Sequence, residues 1–344
     1  MSDLSKILAN EPAFRIKQIE LAKFDLAVKG YEDITTLSKE LREQLKDFPW
    51  LSVKNLVVKK SKIDGTQKAI LILADNNSVE TVLMFRKDRW TVCLSSQAGC
   101  SLNCSFCATG QAGFKRNLTK DEIVDQYRFW QKELGSEEKI ENIVLMGQGE
   151  PLLNYLAVKE ALKTFLVYGK IAPRKIILST VGIVEGMNKI LTDDDFPKIR
   201  FAISLHSAIN KTRKKIIPSH PKDFFDFLIT WSKKYHEKFS SRNFFIGLEY
   251  LLLTDFNDDD EHLNALIKLS FKLGSVRINL IPFNKVGKKF GETDMTTAKK
   301  WQEKLNDKGL TATIRRSQGS DIEAACGQLA EKIDPYSKNF DVIK

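Results

Sequence analysis

The sequence is short of every feature that marks membrane, secreted or fibrous chains. No window of its 344 residues reaches the roughly 18 consecutive apolar residues that a membrane-spanning helix needs. The N-terminal stretch MSDLSKILANEPAFRIKQIE has no continuous apolar core and no small-residue cleavage site, so a secretory leader is not expected. No internal repeat, low-complexity tract or long Pro/Gly linker stands out. Cysteines number five, an odd count without secretory context, so a disulfide scaffold is a poor reading. What is left, with 42% apolar and 28% charged residues, is the composition of an ordinary globular protein, expected in the cytoplasm. The length suits one large domain with a small appendage.

The charge is lopsided. Lys and Arg total 54 against 44 Asp and Glu, a formal net charge of +10. Such an excess favours polyanions, nucleic acid the commonest among them, although many basic proteins bind none. The runs Lys59–Lys60, Arg213–Lys215 and Lys288–Lys289 read individually as solvated loops.

Residues 1–50 read as a helical, basic segment, with helices near Arg15–Val28 and Thr35–Leu45 separated by Gly30. Residues 51–88 shift to β-rich runs, LSVKNLVVKK and AILILADNNSVETVLMF, joined by the turn signal Asp64–Gly65. From about residue 89 to 330 apolar strand candidates alternate with amphipathic helix candidates. The strands are TVCLSS, NIVLM, KIILST, IRFAISL, FFIGLEYLLL, VRINLIPF and TATIRR; residues 331–344 form a tail. Thr119 is a plausible helix N-cap, with Glu122 completing a capping box. Six or so β–α units in series predict an α/β fold: a parallel sheet with right-handed crossovers, closed or partly closed as a barrel, with an open doubly wound sheet as the alternative. In either arrangement chemistry gathers at the C-terminal ends of the strands.

The sharpest signal is Cys100-Ser-Leu-Asn-Cys104-Ser-Phe-Cys107, in the loop that leaves the first barrel strand. Thiolates are the usual ligands of [4Fe–4S] clusters, which need four; three leave one iron open to a small chelating ligand. The competing reading is zinc, but zinc favours paired CxxC units or Cys/His quartets, and neither a second pair nor a nearby His exists. Cys326, far along the chain, could complete a four-cysteine site in space. As a lone cysteine it reads as a small buried apolar residue. Cys93, within a β run, reads as core packing.

The spacing, at this place in a barrel, resembles the radical S-adenosylmethionine (SAM) superfamily. CLSSQAGCSLNCSFCATGQAGFKRNLT, MGQGEPLLN, ISLHSA, INLIPFN and SDIEAACGQL resemble, in order, the RlmN/Cfr family of RNA adenine methyltransferases, from about Ala13 to Leu329. GEPLLN and DIEAACGQL lean to the RlmN type, which methylates C2 of a 23S rRNA adenine and often a tRNA anticodon-loop adenine; the Cfr type, acting at C8, is the close alternative. Two readings of other classes are a radical SAM activase that installs a glycyl radical and a zinc-stabilised RNA-binding protein.

The resemblance implies a partial (β/α)6 barrel carrying a [4Fe–4S] cluster on Cys100, Cys104 and Cys107. It implies a SAM pocket lined by Gly149, Glu150, Ser179, Ser204, Leu205, His206 and Asn284. Out of context Gly149-Glu150 is a strand-ending turn and His206 a structural histidine; their positions at strand ends favour the ligand-binding reading. Gln148 stands where the family usually has Met, which bears on local packing. The resemblance makes Cys326 the methyl carrier, Cys93 the thiolate that resolves the RNA adduct through a Cys93–Cys326 disulfide, and Glu80 the proton acceptor. Otherwise Glu80 reads as an exposed strand carboxylate. The chemistry explains the carrier: C2 of adenine is electron-poor and not nucleophilic, whereas a thiolate attacks a methyl sulfonium readily. Expected partners are 23S rRNA, tRNA and a flavodoxin or ferredoxin, with a monomeric protein and no membrane. Arg15, Lys17 and Lys23, and Lys115, Arg116, Arg315 and Arg316 near the site entrance, are candidate phosphate contacts.

Overall fold

The computed structural model describes residues 7–239, 244–284, 290–291, 293–315 and 317–329. Two N-terminal helices, α1 (Ala13–Ala22) and α2 (Lys39–Leu45), enclose a small apolar cluster that includes Ile19, Tyr31, Leu37 and Leu41. The first helix stops earlier than its apolar pattern suggests. Just beyond it the Asp25 carboxylate accepts the amide of Ala27, a local turn that competes with helix. The second starts later, at the N-cap Ser38, whose hydroxyl accepts the amide of Leu41.

Strands β1 (Val53–Lys60), β2 (Gln67–Leu73) and β3 (Ser78–Phe85) form an antiparallel meander, and β3 pairs antiparallel with β4 (Trp90–Cys93). The run AILILADNNSVETVLMF, one β segment by sequence, is itself a hairpin. Asn76 takes a positive φ of 66° and Asp75 accepts the amide of Asn77, so the chain reverses there.

After β4 comes an excursion: β5 (Gln97–Gly99), α3 (Ala108–Ala112) and β6 (Phe114–Asn117), the two strands pairing as a hairpin. The regular alternation follows: α4 (Lys120–Leu134), β7 (Ile140–Leu145), α5 (Tyr155–Val167), β8 (Ile176–Thr180), α6 (Val184–Thr192), β9 (Arg200–Ser204), α7 (Asn210–Ile216), α8 (Phe224–Lys238), β10 (Ile246–Leu252), α9 (Asp260–Leu273), β11 (Val276–Pro282), α10 (Met295–Asp307) and β12 (Thr311–Ile314). Strands β4 and β7 to β12 are parallel and follow one another in spatial order. A doubly wound sheet would reverse its order at a switch point. No reversal occurs, and the ten-stranded sheet is a partial barrel with the β1–β3 meander attached to its first parallel strand.

Strand β10 is buried along its whole length, as a covered parallel strand should be. Its Glu249 is the one acidic side chain in that run. Helix α4 begins with the expected capping box, in which the Thr119 hydroxyl accepts from the Glu122 amide and the Glu122 carboxylate accepts from the Thr119 amide. The same helix anchors the N-terminal helices: Arg128 donates to the carbonyls of Lys23 and Trp50 at 2.8 and 2.9 Å, and Asp125 accepts from the amide and hydroxyl of Ser52, both at 2.7 Å.

Candidate active site

The three-cysteine loop is closed at its base by the β5–β6 hairpin. The Cys100 amide donates to the Gly113 carbonyl at 3.0 Å. Gly99 has φ +76°, and a Cβ there would stand 1.9 Å from the Gly113 oxygen, so only glycine permits this closure. Within the loop the Cys107 amide donates to the Cys104 carbonyl, and the Ser105 amide ties the loop to the end of α7 through the Ile216 carbonyl at 2.9 Å. Cys104 is buried, while Cys100 and Cys107 are half-buried. Burial first, then the charges of their neighbours, pushes Cys100 up to about 11 and Cys104 higher still. Thiols so placed ionise only with a cation among them, which is what an iron–sulfur cluster provides. Among the described residues no three His, Cys, Asp or Glu side chains close on a single metal ion.

All three cysteines face a cavity of about 320 Å³ bordered by the C-terminal ends of the parallel strands. Gly149, with φ +95°, stands where a Cβ would fall 2.5 Å from Cβ of Gln97. It thereby turns the Glu150 carboxylate inward, where the amides of Leu152 and Val181 donate to it at 3.1 and 2.9 Å. Burial nonetheless raises Glu150 to about 6. The hydroxyls of Ser179 and Ser204 lie 3.2 Å apart at the ends of β8 and β9. His206, with φ +54°, accepts the Leu251 amide on Nδ1, so the neutral ring carries its proton on Nε2. Burial, and secondarily Arg213, lowers this imidazole to about 3.

Three expected residues do not line the cavity. Leu205 is fully buried in the apolar core, and only its backbone is near the strand ends. Asn284 lies just past β11 with its side-chain Nδ2 buried and without a hydrogen-bond partner among the described residues, a donor still to be satisfied. Glu80 is 2% exposed rather than an exposed strand carboxylate. It sits on the same side of β3 as the cavity-lining Val82 and Met84, but its carboxylate meets the Lys68 ammonium at 3.2 Å and the Gln148 amide nitrogen at 3.4 Å. Gln148 therefore contacts Glu80, and the departure from the family's Met bears on more than packing.

Cys326 and Cys93 line this same cavity, and all five cysteines are free thiols. The segment carrying Cys326 is held at both ends. The Gly319 amide donates to Asp64 at 2.9 Å, the Lys68 ammonium to the Glu323 carbonyl at 3.1 Å, and the Ala108 amide, next to Cys107, to the Gly327 carbonyl at 2.7 Å. Cys326 is exposed; Cys93 packs beneath that segment against Ala324 and Leu329. Burial, followed by a charge on Cys326, pushes Cys93 up to about 12.

Arg315, expected as a phosphate contact, instead lines the cavity. It lies 3.6 Å from Glu249, donates to the Met146 sulfur at 3.2 Å, and is held above its ordinary value chiefly by Cys326. Neither Glu249 nor this role of Arg315 follows from spacing, though a lone carboxylate inside the apolar run FFIGLEYLLL was a signal for the former. Lys23 and Arg116 are also engaged: Lys23 pairs with Glu20 and Asp121, and Arg116 with Glu122 and Asp75. Lys17 and Lys115 are exposed, and Arg15 donates to Gln18. Arg316, Lys288–Lys289 and the tail 331–344 lie outside the described residues.

The Radical SAM superfamily model matches residues 94–267, half of the chain. That superfamily works with a [4Fe–4S] cluster and SAM. A probable dual-specificity RNA methyltransferase RlmN from Chlorobium phaeovibrioides is 40% identical over 339 residues, covering 94% of this chain and 88% of the relative. The dual-specificity RNA methyltransferase RlmN of Vesicomyosocius okutanii is 37% identical over 343 residues, covering 98% and 95%. Among solved structures, a radical SAM methyltransferase from Sphaerobacter thermophilus superposes with a TM-score of 0.85 at 31% identity, covering 94% of this chain and 95% of that one. No helix among the described residues is long and apolar enough to cross a membrane. The chain belongs to the RlmN family of radical SAM RNA methyltransferases.

Proposed function

We propose that this protein methylates C2 of an adenine in 23S rRNA, at the peptidyl transferase centre, and of an anticodon-loop adenine in tRNA. In this reading Cys326 is the methyl carrier and two SAM molecules are used per turnover. The observation that carries it is the shared cavity: Cys100, Cys104 and Cys107 face the same space as Cys326 and Cys93. The residues fit the implied groups. Three thiols gathered on one cavity wall suit a [4Fe–4S] cluster, and Glu150, Ser179, Ser204 and His206 on the same cavity suit the ammonium, ribose and adenine of SAM. With SAM, that cluster would supply one-electron chemistry able to take a hydrogen atom from a methyl thioether.

The chain's own residues do the rest. Cys326, which shares the cavity wall with Arg315, takes a methyl from SAM by displacement, its S–C bond forming as the sulfonium C–S bond breaks and its thiol proton leaving. Once the activated carbon has joined C2, the adduct gives up the C2 proton, which Glu80 accepts, and one electron, for which the oxidised cluster would be the acceptor. Cys93 then attacks the Cys326 sulfur, its thiol proton leaving as the S–S bond forms. The S–C bond to the base breaks, its carbon takes up a proton, and methylated RNA leaves a Cys93–Cys326 disulfide that two external electrons reduce. The adenine must be unstacked to reach the cavity, at a cost of a few kcal/mol. A flavodoxin or ferredoxin supplies electrons to the monomer. Residues 1–50 serve as an RNA-binding accessory, 51–88 as its β-rich link, and 89–330 as the catalytic barrel.

The test is nucleoside mass spectrometry of rRNA and tRNA from a host lacking its own adenine C2 methyltransferase. Expression should produce 2-methyladenosine that disappears with Cys326→Ala. Appearance of 8-methyladenosine, or of neither product from cluster-loaded protein, would overturn the reading.

A further inference from the structure

Arg213 is completely buried, at 0% exposure, on the short helix α7. A buried charge is ordinarily matched by a carboxylate, because removing an ion from water is costly unless a counter-charge repays it. Among the described residues Arg213 has no such partner. All its hydrogen bonds go to neutral acceptors: the carbonyls of Leu205, Val181 and Ser204, at 2.9, 2.6 and 3.1 Å, and Nδ1 of His220 at 2.7 Å. The His220 ring is neutral, lowered to about 4 by burial and by the cations beside it, and its Nε2–H is spent on Asn210. The face of the guanidinium lies 4.1 Å from the Phe224 ring centroid.

The missing anion lies in the other direction. Helix α7 abuts the three-cysteine loop, where the Ser105 amide donates to the Ile216 carbonyl and Cys104 packs in one apolar cluster with Ile216 and Ile217. Two of the residues whose carbonyls Arg213 meets, Val181 and Ser204, line the same cavity that the three cysteines face.

We propose that Arg213 is the buried counter-cation of the cluster, its unmatched charge favouring the reduced form held by Cys100, Cys104 and Cys107. This rests on the three-cysteine assignment above. An electron arriving at the cluster adds negative charge in a dry part of the protein, and a fixed cation nearby stabilises that state. Arg213 is thus a positioning and tuning residue that acts through the cluster. Its hydrogen bonds to Val181 and Ser204 also brace the strand ends that hold SAM, so the two roles have to be separated experimentally.

The experiment is an electron paramagnetic resonance redox titration of the cluster in anaerobically reconstituted full-length protein, with iron and sulfide content checked for every variant. Arg213→Met removes charge and fork. Arg213→Lys keeps the charge and loses the fork. His220→Glu leaves Arg213 in place and gives it a carboxylate partner, with His220→Gln as its neutral control. At a fixed applied potential, Arg213→Met and His220→Glu should each lower the ratio of reduced to oxidised cluster about tenfold. That is roughly the effect of one unit charge about 10 Å away at an effective dielectric near 20. Arg213→Lys and His220→Gln should stay near the wild-type ratio, even where SAM binds more weakly. If Arg213→Met fails to fold, His220→Glu alone decides. An unchanged ratio in His220→Glu overturns the proposal, as does an equal fall in Arg213→Lys. A wild-type protein that assembles no cluster would instead overturn the three-cysteine assignment.

Discussion

The backbone amide of Ala108 donates to the carbonyl of Gly327 at 2.7 Å, joining the residue after Cys107 to the residue after Cys326. The proposed methyl carrier is therefore fastened directly to the three-cysteine loop, although 219 positions separate Cys107 from Cys326. Gly327 has φ +84°, and a Cβ there would stand 3.1 Å from the Phe106 carbonyl. Gly327→Val combines a β-branched residue with positive φ and should displace the carrier. We expect methylation of Cys326 by SAM, read as intact protein mass, to slow at least tenfold while iron and sulfide content is retained. Unchanged labelling would show that the junction does not place Cys326.

Glu150 provides a pH signature. Its folded value is raised to about 6 by burial, so in the SAM-free protein the protonated form persists to a higher pH than in the unfolded chain. This group's contribution to stability is fully present below about 4.5 and is lost as pH rises through 6, at a cost of about 2 kcal/mol. A bound ammonium reverses the preference by favouring the carboxylate. SAM should therefore bind up to about tenfold more weakly at pH 5 than at pH 7, and Glu150→Gln should flatten that dependence. Equilibrium dialysis of cluster-loaded protein against labelled SAM at several pH values measures both. A wild-type affinity that ignores pH would remove Glu150 from the ammonium site.

The capping box of α4 ties a sequence signal to an energy. Thr119→Ala removes the hydroxyl that accepts the Glu122 amide at 3.2 Å and should cost about 1 kcal/mol of unfolding free energy. Thr119→Ser should cost only a few tenths, because it keeps the acceptor. Urea denaturation distinguishes the two, and equal losses would show that the methyl group, not the cap, is what matters.

That cap was readable in advance because it depends on residues three positions apart. The strand–helix alternation was readable for the same reason, since periodicity is local, and the cysteine loop because few chemistries use three thiols at that spacing. The site's other half was not. Arg315 meets Glu249 only after β10 and β12 are brought together across the intervening β11. Arg213 looked like one member of a solvated basic run, yet the helix turns it fully inward while Lys214 and Lys215 face solvent. Glu80 looked exposed because a single strand does not reveal which of its faces another strand's lysine will share.

The Lys68–Glu80 pair carries the last prediction. Both side chains are buried, at 0% and 2% exposure, and their charged atoms are 3.2 Å apart. Lys68 also reaches the Glu323 carbonyl, three residues before Cys326. Lys68→Met would leave the carboxylate in a dry site without its counter-charge, which typically costs about 3–5 kcal/mol. Replacing both, in Lys68→Met with Glu80→Leu, should recover most of that loss, because an apolar pair of similar volume no longer pits charge against burial. Chemical denaturation of the wild type, both single variants and the double variant closes the cycle. Independent, additive losses would show that the two groups do not depend on each other. A large coupling would mean that the residue proposed to accept the C2 proton depends on the same lysine that bonds the segment carrying Cys326.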